Sequence, residues 1–421
     1  MSWIVVIVSI LCPPLGIVGG IIGIYKDYNK WKYYILCIAL GMASIAYCYI
    51  PKGDPDIVRY WDFVESVKNY SFIKALNTTM HGDGNLYVYT AFAWICAQIG
   101  DVHLLPACSV FIVYYVGFYI TCQVGKDIKA KKTTVIVYII FIMLALNFYG
   151  VVNNVRNICA FALISMAIFR EMYQKKYDIW SALLYILPLF IHTSAILLIL
   201  LRLVVYFSVK IRVILLVLVV NIMMLIDFAF NLFTSIGTNN FVISLIRSMV
   251  FKAHFYFHNT TSEWGKIVMN SLSYRIDRYL NITFACIICI FLLWSQKDEL
   301  MSKYRYRNVI RNVNTVSKKR LELFNNYVFF MAMATIGCLQ MIMPEYWRFY
   351  STTVLTASVP FLIMANSKFR YKRIISYVIF PGVLINSIIV LRFLLYSDRF
   401  SLLVMPFFSS PLVITIRNIL K

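Results

Sequence analysis

A near-unbroken succession of apolar runs constrains this chain more than any other feature of its sequence. The runs lie at 3–24, 33–50, 84–100, 103–124, 134–152, 155–170, 178–191, 193–207, 213–230, 280–295, 325–343, 350–367, 374–394 and 402–416. They lack strand-like alternation, and lipid accepts only helices or closed barrels because unpaired backbone groups are costly there. Since a span needs about 20 apolar residues, we expect an all-α, polytopic integral membrane protein with about 12–14 membrane helices.

Charged residues are few and unevenly placed. The chain is 61% hydrophobic and 14% charged, whereas a soluble domain is about 25% charged, which excludes an ordinary soluble enzyme. The net charge of +22 would suggest nucleic acid in a soluble protein. Here most basic residues lie in short connectors, as is typical of cytoplasmic loops that contact anionic lipid, so we expect no nucleic-acid partner. The connectors assigned to the cytoplasm are 26–32, 126–132, 170–176, 210–212, 296–324 and 368–373.

This charge pattern predicts one integral membrane domain over residues 1–421. It has an extracytoplasmic loop at 231–279 and a cytoplasmic basic loop at 296–324. Between 33 and 124, three apolar runs separate two basic connectors. Because an odd number of crossings cannot return the chain to the same side, either one run is re-entrant or the 26–32 connector breaks the charge rule.

Two short runs, 178–191 and 193–207, predict a helical hairpin. Each has about 15 residues, which is short for a span, and Pro188 lies near their junction. We expect a re-entrant hairpin whose tip stops below the outer surface and floors a water-filled depression. The first run, 3–24, is expected to be one span because it lacks the basic start of a signal peptide.

The first candidate site follows the second run, at Asp54-Pro55-Asp56 and Arg59-Tyr60. An Asp-x-Asp pair can bind a divalent cation through carboxylate oxygens. The same residues can instead form a turn, in which proline fixes φ and an aspartate caps the next helix. Residues 60–80 are expected to form an amphipathic helix at the membrane interface.

The second candidate is the polar helix start at Asn153, Arg156 and Asn157. With Ala160 these residues share one helix face. A guanidinium matches phosphate with planar pairs of donors, and a helix that begins here would direct N–H groups at the same anion. The alternative is an arginine that reaches the interface from the end of a span.

Three histidines are further candidates. The imidazole of His192, in the hairpin, can accept a proton from a sugar hydroxyl, or it can be a structural hydrogen-bonding residue. His254 and His258 are four residues apart, so a helix would place them on one face. With no third ligand nearby in the sequence, a zinc site is not expected.

Charged residues beside the later spans complete the candidates. Arg275 and Arg278 lead directly into a span, so they belong either to a site or to an exposed helix start. Glu345 and Arg348 lie between two spans among aromatic residues, so they either join the same site or form a local ion pair. Charges at such positions are costly and require a function or a partner.

Three motifs, in order, give the chain a resemblance to a known family. Gly53…Asp56-Ile-Val-Arg-Tyr60 resembles a Gly-x-Asp-x-x-x-Tyr motif, although Asp54-Pro55 is inserted relative to it. Asn154-Val-Arg-Asn-Ile-Cys-Ala160 resembles an Asn-x-Arg-x-x-x-Ala helix start, and His192-Thr-Ser-Ala195 resembles a His-x-Ser-Ala helix start. The set is similar to that of EpsG/Wzy-type bacterial polysaccharide polymerases, multi-span proteins of capsule, exopolysaccharide and O-antigen assembly.

The resemblance implies a GT-C-like fold and a glycosyltransferase that uses no metal or other cofactor. A growing glycan would leave undecaprenyl pyrophosphate and join the non-reducing end of a new lipid-linked repeat unit. The reaction would take place on the outer face of the bacterial inner (cytoplasmic) membrane. The implied partners are the undecaprenyl-pyrophosphate-linked oligosaccharide, the lipid bilayer, a chain-length regulator and a flippase.

The resemblance also implies roles for residues, by motif in the first half of the chain and only by position in the topology in the second. The expected catalytic residues are His192, Glu345 and Asp56, with His192 or Glu345 taking the proton of the acceptor hydroxyl. The expected pyrophosphate ligands are Arg156, Arg275, Arg278, Arg348 and Arg59. Other substrate contacts are expected from Asn153, Asn157 and Tyr60.

Three alternative functions remain open at this stage. A metal-dependent GT-C glycosyltransferase would use a polyprenyl-phosphate sugar, with Asp54 and Asp56 as metal ligands. A flippase for lipid-linked oligosaccharides would carry polar positions through the full depth of its spans, often in two matching halves. A glycan ligase would perform the polymerase chemistry on a different acceptor.

Overall fold

The structure is a computed structural model of the chain. It describes residues 2–53, 55–78, 86–205, 217–219, 221–235, 241–258, 266, 269–301, 318–338, 341, 346–366, 404–408, 414 and 416. Within these residues no strand is present, so the predicted all-α class is confirmed there. The helices are α1 (Ser2–Leu11), α2 (Pro13–Lys26), α3 (Trp31–Tyr47), α4 (Asp56–Ser66), α5 (Phe72–Leu76), α6 (Tyr87–Ile99), α7 (Leu104–Asp127), α8 (Lys132–Ala145), α9 (Phe148–Asn153), α10 (Val155–Ile168), α11 (Ile179–Ile186), α12 (Ile196–Val204), α13 (Ile222–Thr234), α14 (Phe241–His258), α15 (Leu272–Met301), α16 (Lys318–Gly337), α17 (Tyr346–Thr356), α18 (Ser358–Asn366) and α19 (Met405–Phe408).

The first apolar run forms a hairpin of two helices, α1 and α2. Gly16 packs against Ser9, and Gly19 packs against Val5, so the two helices run antiparallel. The chain turns at Pro13-Pro14, where proline cannot continue the hydrogen-bond ladder of the preceding helix. The prediction of one continuous span over this run is therefore wrong.

Two basic connectors, 26–32 and 126–132, meet at one end of the helix bundle. Lys132 Nζ donates a hydrogen bond to the carbonyl oxygen of Lys26 at 3.3 Å. The hydroxyl of Tyr28 donates to a carbonyl of α7 at 2.7 Å. We call this end of the bundle the basic end.

The opposite end, which we call the site end, holds the end of α3 and the starts of α7 and α10. Tyr47, at the end of α3, donates its hydroxyl hydrogen bond to Asp101 Oδ2 at 2.5 Å, three residues before α7 begins. Ser109 of α7 donates to the carbonyl of Val155, the first residue of α10, at 2.9 Å. Thus α3 and α7 each run between the two ends, in opposite directions.

A layer of three short helices, α4 to α6, lies at the site end between α3 and α7. The indole of Trp94 donates to the carbonyl of Tyr70 at 2.8 Å, which fixes α6 against the α4–α5 segment. α6 has 13 residues, about 20 Å of helix. Near its start Tyr89 contacts the first turn of α10, and its end lies two residues before Asp101, so both ends of α6 lie at the site end. The run at 84–100 therefore does not connect the two ends of the bundle. This leaves α3 and α7 as the two connecting helices between 33 and 124.

The hairpin predicted over 178–207 is present as α11 and α12. At its base, Tyr185 donates to Glu171 at 2.5 Å, and Arg202 forms an ion pair with the same carboxylate. At its tip, the Ser194 hydroxyl donates to Asn157 of α10 at 3.5 Å. The hairpin thus follows α10 and the π-helical turn after it, and its tip reaches the first turn of α10.

The remaining predictions of topology are tested only in part. By length and composition, two described helices could cross a membrane: α7 and the Tyr274–Leu293 part of α15. In the predicted loop 231–279, the described residues are mostly helical and belong to α13, α14 and α15. The connectors 210–212 and 368–373, the centre of the 296–324 loop and the run 374–394 lie outside the described residues.

Candidate functional site

The centre of the candidate site is Arg156, in the first turn of α10. Its side chain is buried, with the residue 8% exposed. The guanidinium carbon lies 5.0 Å from the ring centroid of Tyr60 and 5.2 Å from that of Tyr89. A cation held over aromatic faces away from water gains about 2 kcal/mol or more. Two rings, from α4 and α6, therefore hold the positive charge at the site end of the bundle.

A helix break places Arg156 in this position. α9 ends at Asn153, α10 begins at Val155, and Asn154 between them has the non-helical φ of −111° and ψ of 52°. Asn153 donates to the carbonyl of Tyr149 at 2.9 Å and to the hydroxyl of Tyr49 at 3.5 Å. The break directs the first N–H groups of α10 toward the site end, as the sequence predicts.

The tip of the hairpin brings His192 beside this helix start. The backbone N–H of Ser194 donates to His192 Nδ1 at 3.1 Å, and the hydroxyl oxygen of Ser194 lies 2.6 Å from the same nitrogen. A ring nitrogen that accepts a backbone N–H carries no proton, so the neutral imidazole has its proton on Nε2. His192 therefore caps the turn that leads into α12, and its tautomer favours hydrogen-bond donation over proton abstraction.

Two further buried polar atoms lie near Arg156 in the chain or in space: one on Tyr89, whose ring Arg156 contacts, and one on Asn153, at the helix break. In the described part of the chain, neither the Tyr89 hydroxyl nor Asn153 Oδ1 has a hydrogen-bond partner. Tyr89 is 4% exposed and Asn153 is 3% exposed, and a buried polar group without a partner costs about 1–3 kcal/mol. A polar ligand or water in the pocket would remove this cost.

Five of the predicted site residues are thus brought together from four segments of the chain. The pocket is formed by Tyr60 of α4, Asn153 of α9, Arg156 and Asn157 of α10, and His192 of the hairpin tip. We call these residues, together with Tyr89 and Ser194, the arginine pocket. The chemical character of the pocket is cationic and rich in donors, which suits an anionic ligand such as a phosphate.

The structure does not place Asp56 and Arg59 in the arginine pocket. They form an i,i+3 ion pair at 3.8 Å, and their side chains are 50% and 55% exposed. Tyr60, next to Arg59, is nevertheless buried, and its ring contacts Arg156. Asp56 is the first residue of α4, and the capping position is Pro55, which makes no side-chain capping bond. The neighbouring Asp54 lies outside the described residues.

Two later helices bring further candidates toward the site end. Trp347, at the start of α17, packs against Gly150 of α9. Tyr350 of α17 lies 5.6 Å from Phe284 of α15 between ring centroids, and Asp277, near the start of α15, lies close to it. The starts of α10, α15 and α17 are therefore at the same end of the bundle.

The predicted residues on these two helices differ in exposure. Arg275 is exposed, whereas Arg278 and Arg348 are partly buried and each has interactions within the protein. The role of these three arginines as pyrophosphate ligands stays a prediction. Glu345 lies outside the described residues.

The sequence did not predict two residues of the arginine pocket, Tyr89 and Ser194. Tyr89 is one of 30 tyrosines and carries no motif, so nothing in its sequence context separates it from the others. Ser194 lies in the His-x-Ser motif, but its contact with both the imidazole and Asn157 depends on how the hairpin tip meets α10.

A second histidine, His103, lies beside Trp61 and Asp101 and is uncharged. His103 packs against Trp61, with ring centroids 4.8 Å apart, and its backbone N–H donates to Asp101 Oδ1 at 3.1 Å. Burial lowers the pKa of His103, although the charge of Asp101 acts in the opposite direction. The side chain is therefore uncharged near pH 7, and Arg156 is the cation that defines the electrostatics of the described pocket.

One expectation about metal ligands is corrected by the structure. The sequence offered no third ligand near His254 and His258, but Asp227 of α13 lies beside both. The carboxylate lies beside them because α13 and α14 pack side by side. The sequence does not predict this pairing, because Asp227 is 27 residues from His254.

Comparison of the chain with known protein families, with characterised proteins and with solved structures finds no match.

Proposed function

We propose that the protein is a membrane glycosyltransferase that polymerises lipid-linked oligosaccharide repeat units, as the resemblance of its three motifs implies. The observation that carries the proposal is the arginine pocket. Three motifs that are far apart in sequence meet in it, with Arg156 buried between Tyr60 and Tyr89. A guanidinium with phosphate-matching donors, beside a helix start, suits the pyrophosphate of a polyprenyl carrier.

A membrane location for this site is supported by outward-facing apolar stripes. On α1, Ile4, Ile7 and Leu11 are exposed at helical spacing, and on α8 the same is true of Val137, Ile140 and Leu144. Stripes of this kind are unfavourable in water and are covered in lipid. We therefore propose a polytopic, GT-C-like protein of the bacterial inner membrane.

The sidedness of the site follows from the two ends of the bundle. Basic connectors favour the cytoplasm, and the connectors 26–32 and 126–132 lie at the basic end. The arginine pocket lies at the opposite end and would face the periplasm or exterior. A polymerase that uses translocated lipid-linked units requires this orientation.

The proposed reaction transfers a glycan from one lipid carrier to another. The glycosidic bond between the first sugar carbon and the pyrophosphate oxygen breaks, and the same carbon bonds to a hydroxyl at the non-reducing end of the acceptor unit. Arg156 binds the pyrophosphate and offsets the charge that develops on its oxygen. The proton of the acceptor hydroxyl passes to a base, for which Glu345 is the proposed residue. His192, protonated on Nε2, serves as a donor.

The test is polymer formation by purified protein with undecaprenyl-pyrophosphate-linked repeat units from the host, resolved as a ladder on a gel. We expect Arg156→Ala to lower the rate by about 10²–10³-fold, the usual effect of losing one charge-stabilising donor. Arg156→Lys should recover only part of this loss because an ammonium lacks the planar donor pair.

The matched control is Lys74→Ala. Lys74 is also a cation over a tyrosine ring, at 4.1 Å from the centroid of Tyr70, but it is exposed on α5. The Lys74→Ala variant should leave the ladder unchanged.

Full-length polymer from a well-folded Arg156→Ala protein would refute the proposed role of the pocket. Translocation of the lipid-linked unit in proteoliposomes without chain growth would instead identify a flippase. A divalent-ion requirement that Asp54→Asn abolishes would favour a metal-dependent transferase.

A further inference from the structure

A second cluster of chemically active side chains lies on α13 and α14, apart from the arginine pocket. The two helices pack antiparallel: Phe230 contacts Phe251, with ring centroids 4.8 Å apart, and stacks on His254 at 3.8 Å with an interplanar angle of 12°. This stacking fixes the ring of His254. It also brings Asp227, one helical turn before Phe230, to the level of His254 and His258.

The nitrogens of both imidazoles converge on one carboxylate oxygen. His258 Nε2 lies 2.7 Å from Asp227 Oδ1, and His254 Nε2 lies 3.7 Å from the same atom. The two histidines are four residues apart on α14, so their rings lie on one face, with centroids 4.4 Å apart. Of the two imidazoles, only that of His258 is within hydrogen-bond distance of this oxygen.

We propose that Asp227, His254 and His258 bind a divalent transition-metal ion of the zinc class. Two imidazoles and a carboxylate are the ligand set of many zinc sites that keep a fourth position for water. Calcium and magnesium prefer an all-oxygen set. The three side chains are 28–39% exposed, so the protein leaves the fourth position open to an added ligand.

The geometry requires only small adjustments to accept the ion. The three ligand atoms lie within 4.8 Å of one another. Ligands of a tetrahedral zinc at about 2.0–2.1 Å from the metal are about 3.3 Å apart. The imidazole of His258 must therefore withdraw slightly from Asp227 Oδ1, while the other separations close. Such movements are within reach of side-chain rotation on two helices that are already paired.

The bound ion would join α13 to α14 through two ligands from one helix and one from the other. Because a metal binds the folded pair and not the separated helices, it would stabilise the pairing by mass action. The site is independent of the proposed polymerase reaction, and its ligands belong to none of the elements that form the arginine pocket.

The test uses the full chain, purified in detergent, stripped with a chelator and titrated with ZnCl₂ by calorimetry. We expect one saturable equivalent of Zn²⁺ per chain and a rise in the thermal unfolding midpoint. Asp227→Asn, His254→Ala and His258→Ala should each lose this equivalent. His103→Ala, which removes a histidine from a different part of the chain, should retain it. The absence of saturable binding to the native chain, or an unchanged stoichiometry in all three variants, would overturn the proposal.

A loss of metal binding could also result from misfolding, so a second variant is designed to gain a spectroscopic signal. His258→Cys replaces one zinc ligand by another, so it should still bind one equivalent of metal. When loaded with Co²⁺, it should also acquire a thiolate-to-cobalt charge-transfer band that the native chain and the combined Asp227→Asn/His258→Cys variant both lack. A Co²⁺ spectrum identical to that of the native chain would place the metal elsewhere and overturn the proposal.

Discussion

Burial of Arg156 sets the chemistry of the site at the scale of single residues. A guanidinium taken out of water loses several kcal/mol of hydration, so the protein must offer it other interactions. The rings of Tyr60 and Tyr89 supply part of this through their faces. Ring faces carry no net charge, so these two contacts do not themselves cancel the positive charge of the guanidinium.

The role of His192 can be separated into two parts by substitution. Asparagine keeps an oxygen that can accept the Ser194 N–H, as His192 Nδ1 does at 3.1 Å, because asparagine is also a good capping residue. It lacks the Nε2–H. We expect His192→Asn to retain the folded structure and thermal stability, but to lower polymer formation by about 10²-fold or more, as for a lost donor or acid–base group.

The comparison variant is His192→Ala, which loses both functions. It should lower polymer formation as much as His192→Asn does and should also reduce the thermal unfolding midpoint. The loss of a cap costs about 1 kcal/mol. If His192→Asn polymerises at the native rate, the imidazole has only a capping role.

What the sequence predicted at this scale depended on motifs. Arg156, Asn157 and His192 stood out because polar residues interrupt apolar runs there, and the structure brings them together. Asp56 and Arg59 belong to a motif as well, but both charges are exposed whereas Tyr60 is buried. Because Asp56 and Tyr60 are four residues apart on one helix, their spacing does not predict which of them is buried. Asp227 could not be assigned as a third ligand because its position depends on how two helices pair.

At the scale of helices, close backbone contact holds α2 against α3. A Cβ atom added at Gly20 would lie 2.7 Å from the carbonyl oxygen of Tyr34 and 2.5 Å from Ile38. Neither a backbone oxygen nor a buried isoleucine can yield at low cost. Small residues at such positions let helices approach closely in a bilayer, where packing replaces the hydrophobic effect.

We therefore expect Gly20→Ala to destabilise the protein by about 1–3 kcal/mol, the usual cost of overpacking. The measurement is the thermal unfolding midpoint in detergent, with monodispersity as a check of folding. Val18→Ala is the matched control on the same helix, because Val18 is exposed and its truncation leaves the contact with α3 intact. A midpoint for Gly20→Ala equal to that of the control would show that the two helices are less closely packed than this contact requires.

Two apolar runs show what the length of a run does not predict. Pro13-Pro14 lies inside the first run, and that local signal could have predicted the break between α1 and α2. The run at 84–100 contains no comparable signal. Its helix, α6, stays at one end of the bundle because it packs on α4 and α5 through contacts such as Trp94 with Tyr70, and these contacts are not encoded in its hydropathy.

For the whole molecule, the position of α6 determines the topology of everything that follows. With α6 confined to the site end, α3 leaves the basic end and α7 returns to it, so 26–32 and 126–132 share one end of the bundle, as their charge predicts for the proposed membrane protein. If α6 crossed the membrane instead, α7 would return the chain to the outside. The 126–132 connector would then face the exterior, against its excess of basic residues.

Labelling of single introduced cysteines distinguishes these two topologies. Lys74→Cys lies on the exposed part of α5, and Lys131→Cys lies at the exposed start of α8. In intact cells, a maleimide that cannot cross the membrane should modify Lys74→Cys and should reach Lys131→Cys only after permeabilisation. The native chain gives the background, since of its ten cysteines seven are buried and three are partly buried.

Labelling of both positions from outside would mean that α6 crosses the membrane. Labelling of Lys131→Cys alone would place the arginine pocket on the cytoplasmic side, where it could not polymerise translocated units. The proposed function therefore depends on this measurement as much as on Arg156 itself.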